Sequence, residues 1–313
     1  MKIKKHKVEK IKEIAMKRFV FLMFVLFAGL SVAKAQSSEI GACGGVSFYM
    51  GDLNPKGVFN GSRAAGGIMY RYNISPRWAV KATALFGSLY ASDADHGNYE
   101  RNLSFRSNLS ELSAQIELNF LKLYNEKGKC YFSPYLFLGV AAFSFNPQAE
   151  FNGKWYDLQA LGTEGQELNI TDKEGNVYDQ KRYSLTNFAI PFGLGMRFNF
   201  LQYYSIGLEW GFRKTFTDYI DDVSGNYVDR DLFIEYRSQL IADLADRTAV
   251  TTTNEEGEVV PDYHKAGSAR GTSSAKDWYS FLTLNFTFKL TDLKNDCSAP
   301  LRTGRYKGTS KKR

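Results

Sequence analysis

The sequence predicts an all-β chain: an eight-stranded antiparallel transmembrane β-barrel with short periplasmic turns and long outer loops. Three observations carry that expectation. A secretory leader opens the chain, its remainder is built of long segments with period-two alternation, and the connections are short at one end and long at the other.

The leader comes first. Phe19 to Val32 is an apolar run of 14 residues, preceded by Lys17 and Arg18 and followed by Ala33-Lys34-Ala35. A basic segment, a short apolar segment and an A-x-A site describe a signal peptide, and the run is short of the ~20 residues a spanning helix needs. The expected division is 1–35 signal peptide, 36–290 barrel and 291–313 basic periplasmic tail. Met16 is a second candidate start, because 1–15 would make a long basic segment. The leader also explains the charge. Residues 1–35 carry nine Lys/Arg and two Asp/Glu, a net +7 that equals the net charge of all 313 residues. The mature chain is therefore neutral, and nucleic acid is not an expected partner.

The clearest strand has Phe188, Ile190, Phe192, Leu194, Met196 and Phe198 alternating with Ala189, Pro191, Gly193, Gly195 and Arg197. The next alternates Tyr204, Ile206, Leu208, Trp210 and Phe212 with Ser205, Gly207, Glu209, Gly211 and Arg213. The last sets Leu282, Leu284, Phe286 and Phe288 against Thr283, Asn285, Thr287 and Lys289. Successive side chains in a strand point to opposite faces, so each segment has one apolar and one small or polar face. Five further segments centre on Ile40–Asp52, Arg63–Asn73, Arg77–Tyr90, Leu109–Phe120 and Tyr131–Phe145. In the last of these Leu136, Leu138 and Val140 oppose Tyr135, Phe137 and Gly139, so both faces are apolar.

A soluble β-sandwich also alternates. Against it stand the strand length, the Gly-rich and charged second face, and aromatic residues near segment ends (Tyr70, Tyr72, Trp78, Tyr203, Tyr204, Trp278, Tyr279), as in membrane-barrel girdles. The outward set should include Phe192, Leu194, Leu208, Trp210, Leu284 and Phe286. The gaps after the second, fourth and sixth strands (73–76, 121–130, 199–202) are short. Those after the fifth and seventh (146–182, 218–276) are very long. Short turns are periplasmic in such barrels, and an even strand count then puts both ends in the periplasm.

Taken in order, several stretches resemble the PorG family of outer-membrane β-barrels, associated with the type IX secretion system of Bacteroidetes. They are Ser47–Pro55 (SFYMGDLNP), Arg101–Phe120 (RNLSFRSNLSELSAQIELNF), Ser133–Pro147 (SPYLFLGVAAFSFNP), Asp157–Gln166 (DLQALGTEGQ), Ile190–Phe198 (IPFGLGMRF) and Gly207–Asp222 (GLEWGFRKTFTDYIDD). The resemblance implies a non-enzymatic barrel in outer-membrane lipid. Its implied partners are the periplasmic ring proteins of the secretion machine, a lipoprotein and its partner. The long polar segment Arg230–Lys276 and the basic tail depart from the family pattern. The competing class is an independent barrel acting as a small channel or a lipid-modifying enzyme.

Little in the sequence suggests catalysis. Two histidines, His96 and His264, follow the leader, both in expected outer loops, and no strand carries one. Ser92, Asp93 and Asp95 near His96 are read as a solvated polar loop. Asp218, Asp221, Asp222 and Asp229 could offer oxygen ligands to calcium but lack the regular D-x-D-x-D-G spacing. Thr163-Glu164-Gly165 has no Lys and no following helix to make a phosphate loop. No catalytic, cofactor-binding or metal-binding residue is therefore assigned. Arg197, Glu209 and Arg213 are expected to brace a filled lumen, because eight strands leave room only for side chains.

Three cysteines, Cys43, Cys130 and Cys297, are all expected near the periplasmic end, with free thiols as the default and a Cys43–Cys297 bridge conceivable. Thr291–Arg313 carries seven Lys/Arg against two Asp, and is either a solubilising end or an electrostatic tether.

Overall fold

The computed structural model describes residues 37–55, 59–121, 132–171, 175, 177–200, 203–254 and 256–290. The leader, the tail, Cys130, Cys297 and the turns around Glu126 and Leu201 lie outside the described residues.

Eight long strands close a barrel: β1 (Ser37–Met50), β2 (Arg63–Asn73), β3 (Trp78–Ser92), β4 (Ser104–Asn119), β5 (Phe132–Phe151), β6 (Thr186–Phe200), β7 (Tyr204–Thr215) and β8 (Trp278–Leu290). Each pairs antiparallel with its sequence neighbour, and β8 returns to β1 from Ser38↔Leu290 to Met50↔Trp278. Closure leaves no open edge, so strand backbone is paired on both sides, as a lipid setting demands. Ser37 and Leu290 lie together at the short-turn end.

The two faces invert the pattern of a soluble protein. Outward Leu112 and Val140 are each 66% exposed and Ile68 64%, while inward Arg71 is 1% exposed and Lys81 0%. Apolar side chains outside and buried charges inside belong to a barrel surrounded by hydrocarbon. All six residues expected to face outward do so, and burial alternates along β6, β7 and β8 except at Ser280, which is buried on the outward parity of β8. At the short-turn end Phe200, Tyr204, Phe286 and Phe288 form a cluster of outward rings, with centroids 5.4 to 6.3 Å apart. Tyr279 differs from expectation. It is fully buried and donates to Glu111 Oε2 at 2.9 Å, so it belongs to the lumen and not to a girdle.

The β5 segment is apolar on both faces because Leu136, Leu138 and Val140 meet lipid while Tyr135, Phe137 and Phe143 fill the lumen. The inner glycines make room for those rings. A Cβ on Gly195 would lie 2.4 Å from Tyr135 Cζ, and one on Gly211 would lie 2.6 Å from Phe137 Cζ. Glycine in these strands is thus required by close approach.

At the long-loop end the chain builds a cap. β5 runs beyond the barrel wall and pairs with a short strand, Lys154–Asp157. The 218–277 connection carries two helices, α1 (Arg230–Tyr236) and α2 (Gln239–Ala245). Asp229 caps α1 by accepting from Asp231 N, and Ser238 caps α2 by accepting from Ile241 N. Phe233, Ala242, Leu244 and Ala245 bury the apolar sides of the helices. The polar segment expected to be a loop is therefore a small folded layer.

Candidate functional site

The lumen is the first place to look for function, and it is filled in two layers. Eight charged side chains from six strands are buried: Arg71, Lys81 and Arg197 with Glu39, Glu117 and Glu209 towards the short-turn end, and Arg213 with Glu111 level with their register partners Tyr279 and Phe143. Four of each sign leave the lumen neutral. Arg71 straddles two carboxylates, with Nε 2.7 Å from Glu117 Oε2 and Nη1 3.0 Å from Glu39 Oε2. Lys81 Nζ lies 3.0 Å from Glu117 Oε1 and also bonds Glu209, which accepts the Tyr135 hydroxyl at 2.7 Å. Arg197 reaches Glu39 at 3.6 Å. Arg213 Nε meets Glu111 Oε2 at 3.0 Å, and its guanidinium lies 4.7 Å from the centre of the Phe281 ring. The expected role of Arg197, Glu209 and Arg213 as braces of a filled lumen is the role they occupy.

Above this layer comes an apolar one. Tyr49, Leu89, Phe105, Leu109, Phe143, Phe145, Tyr279 and Phe281 pack into one buried cluster. Phe143 and Tyr279 have ring centroids 5.1 Å apart, and Tyr49 meets Phe105 edge-on at 5.0 Å. Paired charges and packed rings together fill the interior that the described residues enclose. Purified protein in a planar bilayer should give no stable conductance steps; well-defined open levels would mean that the plug moves aside.

The cap closes the long-loop end. Arg270 is its hub: Nη1 lies 3.0 Å from Glu164 Oε1 and also bonds the Asp222 carbonyl, while Nε donates to Ala245 O at 3.1 Å. Glu164 Oε1 further accepts the Ser224 and Gly225 amides. Thr163 donates to Asp222, and the Tyr183 hydroxyl donates to it at 2.6 Å, which holds Asp222 in a left-handed conformation at φ 66°. Arg101 joins three connections, bonding Asp93 twice at 2.7 Å, Asp52 O at 2.8 Å and Arg270 O at 2.9 Å. Burial pushes the Asp222 carboxyl up to about 6, although Arg270 lies beside it.

The acidic residues and histidines singled out from sequence each meet partners within the protein. Asp218 accepts from Ser224, Asp221 from Tyr49, Asp222 from Thr163 and Tyr183, and Asp229 caps a helix. The four carboxylates each serve a separate protein partner, and among the described residues no group of three acidic, His or Cys side chains could hold a metal ion. Asp93 is bound by Arg101 and the Leu103 amide, while His96 Nε2 faces Asn60. His264 pairs through Nδ1 with Asp246 at 3.1 Å and stacks on Tyr227 at 4.1 Å. Sequence reasoning missed that pair, because its members are 18 residues apart in a segment with no recognisable pattern. Cys43 is also displaced from expectation. It sits mid-strand, opposite Asn285 and Gly67, facing the interior and buried, well away from the end of β8.

A closed eight-stranded barrel with an apolar belt, a charge-neutral filled interior and a folded cap defines a β-barrel protein of the outer-membrane class. Residues 17–160 match a family described as a domain of unknown function, DUF6089. A comparison with curated proteins finds no match. Among solved structures, the chain is similar to the N-terminal β-barrel domain of Pseudomonas aeruginosa OprF, at 11% identity over 81% of this chain and 97% of that one, with a TM-score of 0.33. It is also similar to Neisserial surface protein A, at 8% identity over 82% and 100% of the two chains (TM-score 0.38). Another is OprG of Pseudomonas aeruginosa, at 11% identity over 82% and 97% (TM-score 0.36).

Proposed function

We propose that this barrel is a non-enzymatic component of the type IX protein secretion machinery, holding a periplasmic ring at the outer membrane. The observation that carries the reading is the ordered set of PorG-like words across the mature sequence. Those words supply members of the polar networks in the lumen and the cap. Ser47–Pro55 supplies Tyr49 and Asp52. Arg101–Phe120 supplies Arg101, Glu111 and Glu117. Asp157–Gln166 supplies Thr163 and Glu164, and Gly207–Asp222 supplies Glu209, Arg213, Asp221 and Asp222. The filled lumen favours a scaffold over a channel. Under this reading the signal peptide is removed, the short turns and both mature ends face the periplasm, and the cap faces the medium. The ring, a lipoprotein and its partner, docks on the short turns and on the basic tail 291–313.

Extraction in mild detergent tests it. A lipoprotein-containing ring should co-purify with the full-length barrel, and recovery of a lone barrel would return the protein to the independent class. Deleting Cys297–Arg313 should leave insertion intact and weaken ring recovery. Recovery with the intact chain should fall as salt rises, since exposed charges are screened over ~10 Å at 0.1 M. Equal ring recovery with and without the tail at every salt concentration would shift docking to the turns around Ser75, Glu126 and Leu201.

A further inference from the structure

Where the cap meets the barrel rim, three buried groups share too few hydrogens. The Tyr49 oxygen at the end of β1 lies 2.6 Å from Asp221 Oδ2 and 2.5 Å from Asp277 Oδ1. Tyr49 is 0% exposed and both carboxyls 1%. A phenol carries one hydrogen and can donate to one carboxylate. The second close oxygen contact needs a hydrogen of its own, which must come from a carboxyl. The remaining oxygens do not supply it, because Asp221 Oδ1 accepts the Val223 amide and Asp277 Oδ2 the Ile220 amide, both at 2.9 Å. Among the described residues no cation takes its place. The charged groups around the pair are Asp52, Asp93, Arg101, Asp218 and Lys276. Arg101 is committed to Asp93, and Lys276 Nζ donates to Ser273 O. The space is also cut to fit. A Cβ on Gly51 would stand 2.0 Å from the Tyr49 hydroxyl and 2.2 Å from Asp277 Oδ1.

We propose that Asp221, Tyr49 and Asp277 form a proton-dependent latch that fastens the cap to the barrel at neutral pH and releases it in alkaline conditions. The latch ties the end of β1, the segment leaving β7 and the residue just before β8. Loss of its proton places two carboxylates on one phenol in a buried site, where like charges cannot both be accommodated. Burial raises both carboxyls, and each is raised further by neighbouring carboxylates. The sign follows. Carboxyls raised in the folded state stabilise it fully below their unfolded values, and the contribution is lost as pH rises through the folded values. Asp218, pushed up by burial to about 6, titrates first, below the window of the latch.

Hydrogen exchange on the purified full-length protein in detergent tests this, with no secretion partner needed. Between about pH 7 and about pH 9.5, the Ile220 and Val223 amides should lose protection by about tenfold beyond the intrinsic rate change, while mid-strand amides of β4 and β8 keep theirs. Asp221→Asn fixes the carboxyl in a neutral, donating form, so its Ile220 and Val223 protection should be flat across that range. Asp277→Asn gives the same readout if the first variant does not fold. Unchanged protection in the wild-type protein, or an undiminished loss in the Asn variants, would overturn the latch.

Discussion

Glu117→Ala should destabilise the folded barrel by about 3–5 kcal/mol, the usual cost of stripping one partner from a buried charge cluster. Glu117 is fully buried and is shared by two cations, Arg71 through both carboxylate oxygens and Lys81 through one. Its removal leaves Lys81 with Glu209 and Arg71 with Glu39, so the lumen carries one uncompensated positive charge. A narrow barrel with packed rings above the charges cannot admit enough water to solvate it. Urea titration of protein folded into lipid vesicles measures the loss. A compensated double change separates charge balance from shape. Lys81→Met with Glu209→Gln removes one charge of each sign and should cost less than the sum of the single changes, because neither leaves the other buried alone. Strict additivity of the two would show that the lumen groups are solvated independently and that the network is not a unit.

The barrel was legible because its signal is periodic and local. The clearest strands alternate over ten or more residues, so register and facing follow from counting, as at Leu208 and Leu284 against Glu209 and Asn285. The lumen charges were also legible, since Arg197, Glu209 and Arg213 fall on the inward parity of strands already drawn. Their partners were harder to foresee. Lys81 and Glu209 are 128 residues apart, and only closure of the barrel brings them together. The cap was largely hidden. Helices of seven residues complete barely two turns, too few to display a 3.6-residue period, and Arg270 gathers carbonyls and carboxylates that no spacing links. Tyr279 was misplaced for a related reason. A tyrosine near a strand end suits a girdle, but its parity with Phe281 and Thr283 sends it inward, and parity outweighs residue type.

That same rule of parity predicts the second large effect. Leu208→Arg should cost about 2–4 kcal/mol, whereas Tyr204→Arg on the same face of β7 should cost about 0–1 kcal/mol. Leu208 stands in an outward row with Leu284 of β8 and Met196 of β6, its register partners, all three substantially exposed along the middle of the wall. An arginine there must hold its charge in hydrocarbon or thin the bilayer around it. Tyr204 begins β7 within the aromatic cluster at the short-turn end, where a guanidinium reaches headgroups by snorkelling. Both substitutions lie on the same outward face of one strand, so the difference between them reports depth in the bilayer. Gly207 is a poor inward control, because even a Cβ there would lie 3.1 Å from Met196 O. The comparison is made by folding each variant into vesicles across urea and scoring the folded band on unheated gels. Equal costs at Leu208 and Tyr204 would place the bilayer elsewhere on the wall, and with it the assignment of the Phe200–Tyr204–Phe286–Phe288 cluster to a membrane boundary.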